Sequence, residues 1–241
     1  MTTLYQFPIS HFCEKARWAL DYKNIPYKTK NLLPGPHVKQ VMSIAKRPEV
    51  PVLKHKNNVI QHSDKIIDYL DKTFPDKCLT PADEECRKKS LEWEAFVDKE
   101  VGINIRTFFY HTLIKHPKLL IPIFTYKGPW YGKILMKFFF PTLRIKMIKL
   151  MRINNETAAQ AKQDLKLAID KINLHLSENK FLAGDQFSRA DLAAASLLAP
   201  LVQPEKYGLP WPSPLPPALQ TTIDEWSSEL EWVRHLYNEY R

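Results

Sequence analysis

A proline-bounded break at residues 75–81 (PDKCLTP) divides this chain into two parts with different sequence patterns, and it constrains the fold more than any other feature. Before the break, short β-prone runs alternate with amphipathic helical segments. After it, nearly every segment repeats its apolar residues with the 3.6-residue period of a helix. The pattern predicts an α/β domain over residues 1–76, a linker with the start of a long helix over 77–87, and an all-α domain over 88–241.

The first part predicts a small sheet flanked by helices. The spacing of Phe12, Ala16 and Leu20 gives the segment after Ser10 one apolar helical face. Strand-like or helical patterns occupy, in order, residues 3–7, 10–23, 26–33, 37–46, 50–53, 58–61 and 63–74. We therefore predict the order β-α-β-α-β-β-α, with Ser63 as the N-cap of the last of these helices.

The second part predicts a succession of helices. Apolar residues with helical spacing occupy residues 82–115, 130–152 (interrupted by Pro141), 155–179, 188–201 and, after a proline-rich loop, 218–237. Ser188 and Asp191 in FSRADL have the spacing of an N-cap and its N3 partner, which predicts a capping box at the start of one helix. We assign these two residues to folding rather than to chemistry.

The net charge of +9 comes from one segment. Residues 101–155 hold ten of the 35 basic residues and none of the 26 acidic ones. Apolar side chains alternate with these cations. Such a pattern is typical of a wall facing a hydrophobic or anionic ligand, of a helix lying on an anionic membrane, or of core residues beside a solvated face. We do not predict a nucleic-acid partner, because no recognised base-reading element is present.

The remaining composition excludes several classes of protein. Cys13, Cys78 and Cys86 have no CxxC spacing, which argues against a disulfide framework or a thiolate metal site and indicates a reducing compartment. The six glycines form no phosphate-binding motif. The sequence has neither an uncharged apolar run of spanning length nor a signal-like start, so we expect a cytoplasmic protein.

Several passages resemble the cytosolic glutathione S-transferase superfamily. They are SHFCEKARWAL at 10–20, VPVL at 50–53, QHS at 61–63 followed by the helix IIDYLD, and FLAGDQFSRADLA at 181–193. Their order and separations are specific to the family, although each passage alone is weak. The resemblance implies a thioredoxin-like, glutathione-binding N-terminal domain followed by the family's all-helical C-terminal domain, in a homodimer.

The resemblance also implies a catalytic residue, Ser10. A free thiol has a pKa of about 8.5, so glutathione needs a group that stabilises its thiolate. A hydroxyl at the start of the first helix would donate to the sulfur, and the helix dipole would add to the effect. Tyr5 and Cys13 are the alternatives. From the residues alone, Ser10 is better explained as an N-cap and Cys13 as a small buried side chain, and only the resemblance favours Ser10 as the catalytic residue.

The glutathione-binding residues implied by the resemblance come from three segments. Val50 would present its backbone to the peptide through a cis bond to Pro51, and Ser63 would bind the γ-glutamyl carboxylate. At position 62 this chain has a histidine where the family usually has an acidic residue or glutamine. The complete expected set is Phe12, Val50, Pro51, Gln61, His62 and Ser63.

The function implied is a glutathione transferase that attacks an apolar electrophile, with glutathione as co-substrate and no metal. The electrophile would be hydrophobic or anionic. The alternative is a non-catalytic or membrane-peripheral glutathione-binding protein, or a glutathione-dependent isomerase or peroxidase. Peripheral membrane contact would use residues 101–155.

Overall fold

Four short strands form one mixed sheet in the N-terminal part of the chain. A computed structural model describes all residues from Met1 to Arg241. The N-terminal elements are β1 (Thr2–Gln6), α1 (His11–Tyr22), β2 (Lys28–Asn31), α2 (His37–Met42), β3 (Val52–His55), β4 (Asn58–Gln61) and α3 (Ser63–Thr73). This order confirms the predicted β-α-β-α-β-β-α arrangement.

The sheet has the strand order β2–β1–β3–β4 and is thioredoxin-like. Strand β1 pairs parallel to β2 and antiparallel to β3, and β3 pairs antiparallel to β4. Leu4 of β1 lies opposite Leu53 of β3, and neither side chain is exposed. Alternate residues of β1 are buried, as expected for a strand with one face against packed helices.

Helices form the rest of the chain. They are α4 (Glu84–Phe96), a π-helical segment (Val97–Gly102), α5 (Ile103–Leu113), α6 (Pro117–Phe124), α7 (Gly132–Met151), α8 (Asn155–Glu178), α9 (Arg189–Val202), α10 (Pro217–Trp226), a 3₁₀ turn (Ser228–Leu230) and α11 (Glu231–Tyr240). The predicted all-helical second part is therefore confirmed. The prediction of one continuous last helix is wrong, because the 3₁₀ turn separates α10 from α11.

Two local predictions about helices are also wrong. Helix α7 is not interrupted at Pro141. Pro141 is exposed, whereas Met136, Phe140 and Leu143 are buried on the inner face, so packing holds the helix together despite one missing backbone donor. Ser63 is the first residue of α3 rather than its N-cap, because His62, at φ 76°, occupies the capping position.

Helix α9 lies at the centre of the helical part, and every one of its residues is buried. The capping box predicted at its start is present: the Asp191 carboxylate accepts from the Ser188 amide at 2.9 Å. Asp191 also accepts from the Leu182 amide at 2.8 Å, so it holds the preceding loop as well as the helix start. Local sequence chemistry therefore fixes the position where this central helix begins.

A buried ionic network joins the sheet-containing part to the helices. Lys15 of α1 lies 2.7 Å from Glu94 and 2.8 Å from Asp98. Arg189 of α9 bonds Glu94 at 2.5 Å and Asp68 at 2.6 Å. The Lys15 and Arg189 side chains are almost completely buried, so removing one partner would leave an uncompensated charge inside the protein.

Residues 240 and 241 pack against α1. The Trp18 indole donates to the Tyr240 carbonyl at 2.8 Å, and Arg241 Nε lies 2.8 Å from Glu14 Oε1. The Tyr240 ring stacks on Phe187 with ring centroids 4.3 Å apart. Helix α1, which begins directly after Ser10, is therefore held in place by residues more than 200 positions further along the chain.

Candidate functional site

A mostly apolar cleft of about 550 Å³ lies between the start of α1 and the helices α5, α7 and α9. Eighteen of its thirty lining residues are hydrophobic. On the side of the sheet it is bounded by the turn that leads into α1 and by the loop before β3. A cleft of this size and polarity suits a small ligand that is largely apolar.

Ser10 lies in this cleft and is the N-cap of α1. Its Oγ accepts a hydrogen bond from the Cys13 amide at 3.3 Å. Because Oγ is only an acceptor in that bond, its own hydrogen is available to a ligand atom. The hydroxyl also lies at the positive end of the helix dipole, which favours an anion such as a thiolate.

The two alternatives to Ser10 lie outside the cleft lining. Cys13 is completely buried, and burial raises the pKa of its thiol, which makes it a poor nucleophile. Tyr5 packs beside the small cluster of Leu32, Val41 and Val52. Of the three candidates, only Ser10 lines the cleft.

Phe12 also lines the cleft, and it packs against the π-helical segment. A Cβ placed on Gly102 would lie 2.5 Å from the Phe12 ring, so only a glycine allows this approach. The neighbouring His11 ring lies 2.9 Å, through Nε2, from the Gly102 carbonyl. Since a carbonyl only accepts, Nε2 carries the hydrogen. Short π-helical segments often occur at functional sites.

The Val50–Pro51 peptide bond is cis, as the resemblance implied. Val50 lines the cleft and belongs to no strand, and its backbone N–H and C=O form no hydrogen bond within the chain. The Gln61 side chain donates to the Arg47 carbonyl at 2.7 Å and to the Glu49 carbonyl at 2.8 Å. Gln61 therefore supports the loop that carries Val50.

The other expected binding residues lie beside this loop rather than in the cleft lining. The His62 amide donates to the Pro51 carbonyl at 3.2 Å, which joins the start of α3 to the cis-proline turn. His62 is exposed and Ser63 is buried. No side chain caps α3, so the amides of its first turn remain available to an anion.

The basic residues near α2 have two different environments, since one of them lines the cleft and three are exposed to solvent. His37 lines the cleft and accepts from the Gly35 amide at 3.0 Å, and burial lowers the pKa of its ring. Lys39, Lys46 and Arg47 are exposed and lie outside the cleft lining. These three cations have the environment of a solvated surface.

Sequence reasoning did not single out several polar residues that line the cleft, among them His11, Arg106 and Gln203. Burial and the nearby charge of Arg106 lower the pKa of His11 to about 3, so its ring is neutral at physiological pH. Burial also lowers the pKa of Arg106, although a guanidinium remains charged in proteins. His11 belongs to the SHFCEKARWAL passage, but no motif marks Arg106 or Gln203, which helix packing brings to the cleft.

The basic segment 101–155 has two different sides. Arg106, Tyr110 and Phe139 face the cleft. On the opposite side lies the α7 outer face, which consists of Trp130, Lys133, Ile134, Lys137, Phe138, Arg144, Ile145 and Lys149. All eight side chains are exposed, with Trp130 at 89% and Phe138 at 78%. The segment therefore supplies both a cleft wall and an apolar, cationic surface.

Two family models match the chain. Residues 4–78 match the glutathione S-transferase N-terminal domain, and residues 131–216 match the glutathione S-transferase C-terminal domain. The two matches follow one another in the order of the two structural parts.

Curated relatives carry related names. A "Probable glutathione S-transferase" from Nicotiana tabacum is 25% identical over 194 residues, which cover 79% of this chain and 67% of the relative. Glutathione S-transferase U4 from Arabidopsis thaliana is 28% identical over 41% of this chain and 45% of its own length. Tetrachloro-p-hydroquinone reductive dehalogenase from Sphingobium chlorophenolicum is 26% identical over 82% of this chain and 81% of the relative. Alignments with the first relatives thus span between about half and two thirds of their length.

Solved structures share the fold. A glutathione S-transferase from Rhodospirillum rubrum F11 has a TM-score of 0.64 at 17% identity, covering 96% of this chain and 88% of its own. FzlA from C. crescentus has a TM-score of 0.62 at 20% identity, covering 82% and 76%. At such identities the likeness establishes the architecture, whereas the reaction has to be argued from the site.

Proposed function

Because this chain belongs to the glutathione S-transferase superfamily, we propose that it is a glutathione transferase in which Ser10 stabilises the thiolate. The observation that carries the proposal is the position of Ser10. Its hydroxyl has a free hydrogen, lies at the start of α1 and lines the same apolar cleft as Val50. The electrophile would occupy the apolar remainder of the cleft.

Glutathione would lie along the edge of the sheet. Val50 would pair with the peptide through its free N–H and C=O, as an added strand does. The uncapped start of α3 at Ser63 would receive the γ-glutamyl carboxylate, with His62 beside it. Phe12 and Pro51 would shape the floor of this subsite, and Gln61 would keep the Val50 loop in place.

The chemistry follows from the charge on sulfur. The Ser10 hydroxyl donates to the sulfur, so it stabilises the thiolate more than the thiol and lowers the thiol pKa. The thiolate attacks the electrophilic carbon, a carbon–sulfur bond forms, and the leaving group departs with the electron pair of the bond that breaks. The hydroxyl remains a donor throughout and is not consumed.

The first experiment compares wild type with Ser10→Ala in the conjugation of glutathione to 1-chloro-2,4-dinitrobenzene. Loss of one donor to a developing or bound anion typically lowers the rate by about 10²-fold. We expect that loss in kcat/KM, together with a higher pKa of bound glutathione in the thiolate absorbance at 240 nm. Cys13→Ala and Tyr5→Phe are the matched controls, and both should retain activity.

The alternatives give different results in the same assay. Glutathione binding without turnover of any electrophile would indicate a non-catalytic binding protein. Oxidation of glutathione by cumene hydroperoxide, or isomerisation of a maleyl compound, without conjugation would indicate a peroxidase or an isomerase. Equal activity of wild type and Ser10→Ala would contradict the assignment of Ser10.

Three further properties belong to this proposal. We propose a homodimer, which sedimentation equilibrium would test, since a single species of monomer mass at micromolar concentration would contradict it. We propose a cytoplasmic location and a role in detoxification. Cys13, Cys78 and Cys86 are free thiols, and free thiols are typical of proteins in a reducing compartment.

We also propose that the α7 outer face binds an anionic membrane surface. None of the helices is both long and apolar enough to cross a membrane. An interfacial helix needs a different arrangement, with apolar side chains flanked by cations, and this surface has it. Phe138 and Ile145 are 78% and 68% exposed, and no acidic residue occurs anywhere in residues 101–155.

Vesicle sedimentation tests the membrane proposal. Binding to phosphatidylserine vesicles should exceed binding to phosphatidylcholine vesicles and should weaken at 0.5 M salt, because surface charge is screened. Phe138→Glu should weaken binding by about 10-fold or more. Leu174→Glu is the matched control, because Leu174 is 72% exposed on a different helix, α8. Equal binding to both vesicle types, or an equal effect of the two variants, would contradict the proposal.

A further inference from the structure

Arg106 is a cation without a counter-ion in the wall of the cleft. It lies on α5 and lines the cleft, and its side chain forms no hydrogen bond or ion pair with another residue. Its Nε is buried and has no hydrogen-bond partner. A buried donor without a partner is costly, and the cost is higher when the group is charged.

The fully buried cations of this protein are all paired, whereas the half-buried Arg106 is not. Lys15 lies 2.7 Å from Glu94, Arg17 lies 2.7 Å from Glu14, and Arg189 lies 2.5 Å from Glu94. Arg106 is therefore an exception to a pattern that the rest of the fold follows. The exception occurs in the cleft, where a ligand would complete the pairing.

The cleft itself provides no anion for Arg106. Its only acidic lining residue is Glu49, which is exposed on the opposite loop and forms no ion pair with Arg106. The neighbouring Tyr110 is a neutral phenol, since burial raises its pKa to about 12. The His11 ring is neutral as well. The positive charge of Arg106 thus remains uncompensated within the cleft.

Gln203 contributes a second free donor to the same cleft. It follows the last residue of α9 with a left-handed backbone at φ 49°. Its Nε2 is buried, has no hydrogen-bond partner, and belongs to the cleft lining. Amide and guanidinium N–H groups are both suitable donors to a carboxylate or a phenolate.

We propose that Arg106, assisted by Gln203, binds an anionic group of the electrophile, so that the preferred substrates are apolar compounds carrying a carboxylate or a phenolate. The inference rests on the proposed transferase function. A carboxylate could also come from glutathione. Arg106 lies on α5, one of the helices that line the apolar part of the cleft proposed for the electrophile, whereas the residues proposed to hold glutathione, Val50 and Ser63, belong to the N-terminal part of the chain. This placement favours the electrophile.

Two aryl halides that differ only in charge test the proposal. They are 4-chloro-3-nitrobenzoate and its neutral carboxamide, conjugated by wild type, Arg106→Met and Arg106→Lys. Loss of a hydrogen-bonded charge pair should lower the ratio of kcat/KM for the acid to that for the amide by about 10- to 100-fold in Arg106→Met. Arg106→Lys keeps the charge and should retain part of the ratio. Gln203→Leu should give a smaller loss.

Arg144→Met is the matched control, because Arg144 is exposed on the α7 outer face and its substitution removes the same charge. This variant should leave the ratio unchanged, and the KM for glutathione should be the same in every variant. An unchanged ratio in Arg106→Met would overturn the proposal. A rise in the KM for glutathione in place of a changed ratio would also overturn it, because Arg106 would then bind a glutathione carboxylate.

A binding measurement separates failure of this inference from failure of the transferase function. Calorimetric titration compares the unreactive ligands 4-nitrobenzoate and 4-nitrobenzamide in the presence of glutathione. If neither halide is turned over, the transferase proposal fails, yet a preference for the benzoate that Arg106→Met abolishes would still support the anion site. Equal affinity of wild type for both ligands would overturn it.

Discussion

Replacing His11 with glutamine should make the protein less sensitive to acid. The His11 ring is 7% exposed, and burial together with the charge of Arg106 lowers its pKa from 6.5 to about 3. A glutamine amide can keep the donor that the ring provides to the Gly102 carbonyl at 2.9 Å. The substitution therefore removes a titrating group while it preserves the hydrogen bond.

The magnitude follows from the difference between the folded and unfolded pKa values. Between pH 6.5 and about pH 3, the unfolded chain binds a proton at His11 and the folded chain does not. Stability from this residue is therefore complete above pH 6.5 and falls by about 1.4 kcal/mol for each pH unit below it. At pH 4.5 the loss for wild type relative to His11→Gln should be about 2.7 kcal/mol.

Urea denaturation of the two proteins at pH 7.5, 6.5, 5.5 and 4.5 measures this difference. Other histidines titrate equally in both proteins, so the difference between their unfolding free energies isolates His11. We expect the unfolding free energy of His11→Gln, relative to that of wild type, to increase steadily as the pH falls below 6.5. A difference that stays constant within about 0.5 kcal/mol across the series would refute the reasoning.

Two other substitutions test contacts around the cleft and α9. Gly102→Ala should raise the KM for glutathione, because the added Cβ would lie 2.5 Å from the Phe12 ring and displace it. The free energy of unfolding should change by less than about 1 kcal/mol, since the higher helix propensity of alanine offsets the crowding. An unchanged KM would contradict this prediction. Asp191→Ala should lower the unfolding free energy by roughly 3 kcal/mol in urea denaturation, because it leaves two buried amides and the Ser188 hydroxyl unpaired. A loss below about 1 kcal/mol would contradict this prediction, because it would show that water replaces the carboxylate.

Features set by neighbouring residues could be predicted from the sequence. The capping box of Ser188 and Asp191 spans four positions and depends only on local backbone and side-chain chemistry. The alternation of strands and helices before the proline-bounded break is also local. The cis bond before Pro51, by contrast, was accessible only through the resemblance.

Features set by packing could not be predicted in the same way. Helix α6 was not predicted, because a short helix containing Pro122 has little local signal. Its buried residues Leu120, Ile123 and Phe124 are held by tertiary packing, in one apolar cluster with residues of α5 and α7. Helix α7 continues through Pro141 for the same reason: its buried face outweighs the missing backbone donor.

The residues of the candidate site also fall into those that the sequence could predict and those that only packing brings to the cleft. Ser10 and Val50 belong to short passages that resemble a family, so sequence reasoning could propose them. Arg106 and Gln203 lie almost a hundred positions apart in the sequence. What distinguishes them is that Arg106 Nε and Gln203 Nε2 have no hydrogen-bond partner in the folded protein, which only the structure shows. Residues 101–155 hold ten cations, and the sequence does not show which of them lies in the cleft without a counter-ion.

The contacts of α1 with residues 240 and 241 have a consequence for the order of events during synthesis. A ribosome releases the sheet and Ser10 first, yet Trp18 and Glu14 meet their partners only 222 and 227 residues later. Until then, an indole donor and a carboxylate oxygen of α1 face the solvent or a chaperone. Helix α1 is therefore synthesised early but completes its contacts only after residues 240 and 241 have been made. The cleft, which begins at the start of α1, takes its final shape only after these contacts form.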